Sequence, residues 1–322
     1  MNIARSISLH GNINTELFDI VNNIPPNILF NNEHQSRPPL GIYNVSTSRV
    51  INAFEKISKL MGTTNSDNDE LEKAHKELLD SLMAFIDDGY HIMKTIFPKS
   101  AVQGNIIFAD KWVKAVDIQT KSIVNDYKRI ISPYRFRLAL MDNKIKHNHA
   151  RHCHVQVSTI CGKIKGYYIE GVTSNGAITP NTEIHPLTNK GEYTATSYNW
   201  DVKNFFVDFY IISMLISRTI YKLISHYHGI TIPTGKIVNQ TYDDDLFRIH
   251  EIISNIPSLF FPQEYDNDIP QIIVKRSEGS IELRKKAYKS YIKKLRRYSS
   301  CNVTTTLSAD GVSSRWALPY LQ

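Results

Sequence analysis

The chain has 322 residues, of which 42% are hydrophobic, and its 38 Lys plus Arg against 31 Asp plus Glu give a formal net charge of +7. This composition supports a sizeable core, so a wholly disordered chain is excluded, and 14 glycines and 13 prolines exclude the collagen-like and low-complexity classes. Three cysteines are too few for a disulfide framework. We therefore expect a globular protein of the reducing cytoplasm.

The first half of the chain is predicted to be mostly helical. Residues 1–45, which two Pro-Pro pairs interrupt, indicate an irregular N-terminal arm with one short helix near residues 15–22. Apolar residues then recur at steps of three and four, which predicts a helical bundle over residues 46–152. We expect its last two helices to be separated at Ser132 and Pro133, because serine caps helices and proline suits the first helical turn.

The second half mixes strands and helices. Residues 153–198 indicate an antiparallel β insertion, with a hairpin turn at Asn175 and Gly176. Residues 199–322 are expected to form a helical C-terminal part. The apolar stretch Phe205–Ile224 is interrupted by charges, so it indicates a buried core helix and no membrane span. The predicted fold class is mainly α: a helical bundle with a small antiparallel β insertion.

The positive charge is concentrated in one segment. Residues 271–300 contain ten bases and two acids, a net charge of +8, whereas the rest of the chain carries −1. Its apolar residues predict a basic amphipathic helix over 280–298, whose charged face would bind nucleic acid, RNA in preference to DNA. The candidate contacts are Arg284, Lys285, Lys286, Lys289, Lys293, Lys294, Arg296 and Arg297. An acidic protein partner and a merely solvated face are the alternatives.

The strongest chemical hint lies at the end of the last bundle helix, predicted to run from Tyr134 to His152. Helical spacing places Asn143, His147 and Arg151 in one row, each a turn from the next. An imidazole exchanges protons near neutral pH, and a guanidinium pairs with phosphate oxygens. These three side chains are therefore the candidate catalytic residues.

Residues 143–147, Asn-Lys-Ile-Lys-His, resemble the Asn-x-x-x-His end of the Arg-Asn-x-x-x-His signature of HEPN-domain proteins. Those proteins are small helical bundles, often dimeric, and many are metal-independent ribonucleases of toxin and antiviral-defence systems. The resemblance implies a HEPN-like bundle, a homodimer and no cofactor. It also implies that His147 takes part in attack by the ribose 2′-hydroxyl and that Asn143 positions the reacting groups.

The signature's arginine is replaced by Asp142 in this chain, so Arg151 and Lys144 are the candidates for phosphate contact. Together these features predict an RNA-directed effector, an endoribonuclease of toxin or antiviral-defence type. The alternative is a non-catalytic nucleic-acid-binding or scaffold subunit of a larger complex.

Two clusters of residues offer side chains that could bind a metal ion. His152 and His154 would share one face of a strand, close to Cys153, but no known closed zinc spacing is present, so ordinary structural or surface histidines are expected. The acids 243–245 begin a predicted helix, where capping and the helix dipole account for them. No metal or cofactor is therefore predicted.

Overall fold

A computed structural model describes residues 2–4, 16–62, 67–147, 150–159, 161–233, 244–275, 280–286, 298–303 and 318–320. Its helices are α1 (Glu16–Asn22), α2 (Pro39–Gly62), α3 (Asn68–Lys94), α4 (Ala109–Lys114), α5 (Ile118–His147), α6 (Tyr198–His228) and α7 (Asp244–Asn255). Its strands are β1 (Asn2–Ala4), β2 (His152–Thr159), β3 (Gly162–Val172), β4 (Ile178–Pro180), β5 (Thr196–Ser197), β6 (Ile269–Lys275), β7 (Ser280–Lys286) and β8 (Tyr298–Val303). The prediction of a mainly α protein with a small antiparallel β component is confirmed.

Helix α6 runs through the main core and packs against α1, α5 and β6. The Ser197 hydroxyl caps its first turn, and Gly229 ends it in the left-handed conformation, at φ 65°, that glycine adopts without strain. Most of its apolar residues are buried, so the predicted core helix is confirmed. Among the described helices, none combines the length and apolarity needed to cross a bilayer.

Helix α5 is longer than predicted, because it continues through Pro133 instead of restarting there. Pro133 is exposed, and buried residues on both sides of it, Ile131 and Leu138, join the same core. Because both sides pack into the same core, the helix continues through Pro133 although proline has no N–H to donate to the preceding turn. The helix ends at His147, five residues before the predicted end at His152.

The short helix predicted within the N-terminal arm is confirmed as α1, whereas the arm is shorter than the predicted residues 1–45. Helix α1 contributes Leu17 and Ile20 to the main core, and α2 already begins at Pro39. Proline suits the first helical position because its missing N–H would have no partner there.

The larger sheet has the strand order β4-β3-β2-β8, with β5 paired to β3, and all of its pairings are antiparallel. The predicted turn at Asn175 and Gly176 is confirmed: Gly176 has φ 80° and donates its N–H to the Thr173 carbonyl at 2.9 Å. The hairpin of β2 and β3 sets His152 opposite Ile169. This pairing fixes the place of His152 beside the helices.

The smaller sheet has the order β1-β7-β6, and it corrects the predicted basic helix over 280–298. Residues 280–286 form the central strand of this sheet, and Tyr298 begins β8. Strand β7 pairs along its whole length with β6, where Leu283 lies opposite Ile272 and both are buried. Pairing on two sides outweighs the helical spacing that the apolar residues also satisfy. Residues 287–297 lie outside the described part.

Candidate functional site

A chain of polar side chains crosses the interior between α3, α5, α6 and the larger sheet. His75 lies on the apolar face of α3, and Asp201 lies in the first turn of α6. The Ser197 cap sets the start of α6, so it also sets the position of Asp201. We call Arg137, Asp201, Tyr167, His75 and His152 the polar chain.

The polar chain is continuously hydrogen-bonded. Asp201 Oδ1 accepts from the Arg137 guanidinium, and Asp201 Oδ2 accepts from the Tyr167 hydroxyl at 2.6 Å. His75 Nε2 lies 3.0 Å from Asp201 Oδ2, and His75 Nδ1 lies 3.1 Å from His152 Nε2. Both Asp201 and His75 are fully buried, with no exposed surface. One carboxylate therefore orients three neighbouring side chains.

The Asp201 carboxylate is ionised in this setting. Burial alone would raise its pKa, but the charge of Arg137 and the hydrogen bonds from His75 and Tyr167 hold the pKa below its usual range. A buried charge is tolerated only when it is paired and hydrogen-bonded, so Arg137 and Asp201 depend on each other.

Arg137 connects the interior to the surface. Its guanidinium carbon lies 5.0 Å from the ring centres of both Trp200 and Phe205, at the distance of cation–π contacts. Its side chain is 30% exposed, whereas that of Asp201 is fully buried. The cation is thus held in one place while part of it remains accessible.

Arg137 and Trp200 line a cleft of about 520 Å³ that we call the α5 cleft. Phe136 and Leu140 of α5 form one wall, and the connection between β4 and α6 forms much of another. Phe136 is 62% exposed, and the buried indole N–H of Trp200 has no hydrogen-bond partner within the described residues. An exposed aromatic ring beside a cleft is typical of a ligand site.

Two titratable groups in the wall of the α5 cleft are held uncharged near neutral pH. Burial raises the pKa of Glu264 to about 8, although it accepts hydrogen bonds from Ser197 and from the Phe261 N–H. Burial lowers the pKa of His185 to about 3. Its Nε2 accepts the Ile169 N–H at 2.9 Å, which requires the neutral ring. Because Asp201 compensates Arg137, the inner cleft carries little net charge.

The other end of the polar chain approaches a second cavity, of about 170 Å³, which His154 and Gln156 help to line. One nitrogen of His152, one of His154 and one carboxylate oxygen of Glu72 lie within 4.8 Å of one another. The prediction that His152 and His154 share a strand face is therefore confirmed. These three residues could hold a metal ion.

Two of the three predicted catalytic residues, Asn143 and Arg151, are exposed. Asn143 is exposed near the end of α5, and His147 is its last residue, with a side chain outside the described atoms. Arg151 is exposed but lies beyond the helix, so the structure does not place it one helical turn after His147. Lys144 is half-buried, with its ammonium 3.9 Å from Glu183, which lines the α5 cleft.

The predicted basic contacts are only partly described. For three of them, which lie on β7, the structure describes the backbone only: Arg284, Lys285 and Lys286. The others fall outside the described residues; they are Lys289, Lys293, Lys294, Arg296 and Arg297.

The sequence drew attention to only one residue of the polar chain, His152. It did not indicate a functional role for the other four, Arg137, Asp201, Tyr167 and His75. A signal existed for His75, which interrupts an otherwise apolar face of α3, whereas Asp201 lies close to other polar residues in the first turns of α6. No comparable signal linked them, because 126 residues separate them in the chain.

Comparison with known proteins returns no match for this chain among family models, curated proteins or solved structures.

Proposed function

We propose that this protein is an RNA-directed effector that binds single-stranded RNA, with a base in the α5 cleft and the backbone running along the end of α5. The observation that carries the proposal is the group of Phe136, Trp200 and Arg137 at a cleft of about 520 Å³. Bases stack on aromatic rings and on guanidinium planes, and single-stranded RNA exposes them for this contact.

The charge distribution favours a base over a phosphate inside the α5 cleft. Asp201 compensates Arg137 there, and Asp266 adds an acid to the lining. A neutral aromatic base fits such a site better than an anion does.

Cations for the backbone lie next to the cleft, along α5. Lys144 is adjacent to the lining residue Glu183, and Lys146 follows on the same helix, paired with Asp80 and Asp142. Phosphate contacts by such lysines supply affinity without sequence preference. The basic residues of 280–298 belong to the proposal as further contacts.

Binding can be tested with two phenylalanines of equal exposure. Phe136 and Phe108 are both 62% exposed, but only Phe136 lines the α5 cleft. We expect Phe136→Ala to weaken binding of a labelled single-stranded RNA, by anisotropy, by about tenfold or more, as loss of one stacking partner does. Phe108→Ala should bind like the wild type. Equal affinities of the two variants, or no RNA binding by the wild type at low salt, would contradict the proposal.

RNA cleavage by His147 is a second candidate, within the same RNA-directed function. It is favoured by the row on α5, because Phe136 and Leu140 line the cleft and the exposed Asn143 continues that face towards His147. A HEPN-like bundle, a homodimer and a cytoplasmic location belong to this proposal. Cleavage that persists with chelator and is lost in His147→Ala would support it, whereas binding without cleavage leaves the non-catalytic subunit.

A further inference from the structure

We propose that Glu72, His152 and His154 form a binding site for a divalent transition-metal ion, zinc above all. Two imidazoles and one carboxylate are a ligand set that zinc uses at sites with an open fourth position. The three donor atoms already lie within 4.8 Å of one another, on α3 and β2. The site is separate from the α5 cleft and does not depend on the proposed function.

The polar chain prepares His152 as a ligand. A carboxylate only accepts, so the proton between His75 and Asp201 belongs to His75 Nε2. With its proton on Nε2, His75 can accept at Nδ1 the hydrogen bond from Nε2–H of His152, whose atom lies 3.1 Å away. This tautomer leaves a lone pair on Nδ1 of His152, which is the form that binds a metal.

Among the described residues, no donor forms a hydrogen bond with this lone pair. His152 is 5% exposed, and its Nδ1 is buried without a hydrogen-bond partner among the described residues. Nε2 of His154 is also buried and unpartnered within the same part of the chain. Unpaired buried polar atoms are costly, so two of them beside a carboxylate favour a ligand bound between them.

The surroundings suit the metal-binding state of the imidazoles. The Tyr198 hydroxyl oxygen lies 3.4 Å from His154 Nδ1 and can accept a hydrogen bond from its N–H while Nε2 binds the ion.

Each ligand has support beyond the metal. His152 is backed by His75 and Asp201, an arrangement that fixes ring orientation in metalloproteins. Lys76 holds Oε1 of Glu72 at 2.5 Å. A cavity of about 170 Å³, lined in part by His154, lies next to the proposed site.

The test uses the untagged full chain, stripped with chelator. Zinc is titrated by calorimetry, and cobalt is titrated as a spectroscopic probe of coordination. We expect one tight ion per chain with the visible absorption of a low-coordinate cobalt site. His154→Ala and Glu72→Gln should each weaken binding by about tenfold or more and change the cobalt spectrum. His75→Gln, which alters the hydrogen bond that positions His152 but leaves the three ligands in place, should weaken it by about 10–100-fold, as loss of such support does.

Matched variants on α3 serve as controls, because Glu70 and His91 are exposed on the same helix. Glu70→Gln and His91→Ala should bind as the wild type does, and so should Cys161→Ser, which removes an exposed thiol. Circular dichroism checks folding, and near-isosteric Glu72→Gln decides the matter if His154→Ala unfolds. Absence of one-to-one binding in the wild type, or unchanged affinity and cobalt spectrum in Glu72→Gln, would overturn the proposal.

Discussion

Two stretches of the same helix hold their polar side chains in opposite ways. In the middle of α5, Arg137 pairs with a fully buried carboxylate and contacts two aromatic rings. At the end of α5, Asn143 is exposed, and Lys146 pairs at the surface with Asp80 and Asp142. The first arrangement fixes geometry, whereas the second leaves side chains free to meet a partner.

This difference indicates that the middle of α5 contributes mainly to stability, whereas its end is placed to contribute to binding. Buried ion pairs are costly to break because removal of one partner leaves an uncompensated charge, while exposed pairs contribute little. Substitutions in the polar chain should therefore act on folding first. Substitutions at the end of α5 should act on binding alone.

The largest expected effect comes from Asp201→Ala. The change leaves Arg137 without its buried counter-charge and removes acceptors from His75 and Tyr167. We expect the free energy of unfolding in urea to fall by about 3–5 kcal/mol. Asp126→Ala breaks only the exposed pair with Arg129 and should cost less than about 1 kcal/mol. Similar losses in the two variants would refute the contrast between buried and exposed pairs.

Acid should weaken the buried region through His185, whose ring contacts that of Tyr167. The pKa of His185 is about 3 in the folded state, whereas an imidazole exposed to water has a pKa of 6.5. Between these two pH values the folded state therefore binds fewer protons than the unfolded state. Stability is therefore full above pH 6.5 and is lost as pH falls towards 3, by at most about 1.4 kcal/mol per pH unit. Arg137, Asp201 and His75 are the charged or titratable groups that act on it.

His185→Gln keeps an acceptor for the Ile169 N–H but does not titrate. Chemical denaturation across this range should show the stability of the wild type falling relative to that of the variant. Parallel pH profiles for the two proteins would contradict this prediction, because they would mean that His185 takes up its proton at the same pH in the folded and unfolded states.

The smallest effect on stability is expected at the end of α5. Lys144→Ala should change the free energy of unfolding by less than about 0.5 kcal/mol. It should lower RNA affinity and reduce the salt dependence of binding by about one phosphate contact. Lys121→Ala, at an exposed lysine in the first half of α5, is the control and should leave both quantities unchanged. An equal loss in the two variants would mean that lysines along α5 act only through general charge.

Local patterns carried much of the fold. Helical spacing predicted α3 and the buried α6, and the Asn175–Gly176 turn predicted the hairpin that leads into β4. Predictions failed where distant pairing competes with local spacing. Residues 280–286 satisfy a helical stripe, yet they form β7 because β1 and β6 supply hydrogen bonds on both sides. Pro133 failed as a boundary for the same reason, since packing held α5 together.

The candidate sites divide in the same way. The row from Asn143 to His147 is contiguous, so helical geometry alone brings it together, and the sequence could also place His152 and His154 on one strand face. The sequence by itself therefore determined which short segments carry reactive side chains. Only the tertiary structure decided that His75, Asp201 and Arg137 meet His152, because buried hydrogen bonds join residues on separate elements. The physical reason is that a side chain's chemistry is local, whereas its burial and its partners depend on the whole chain.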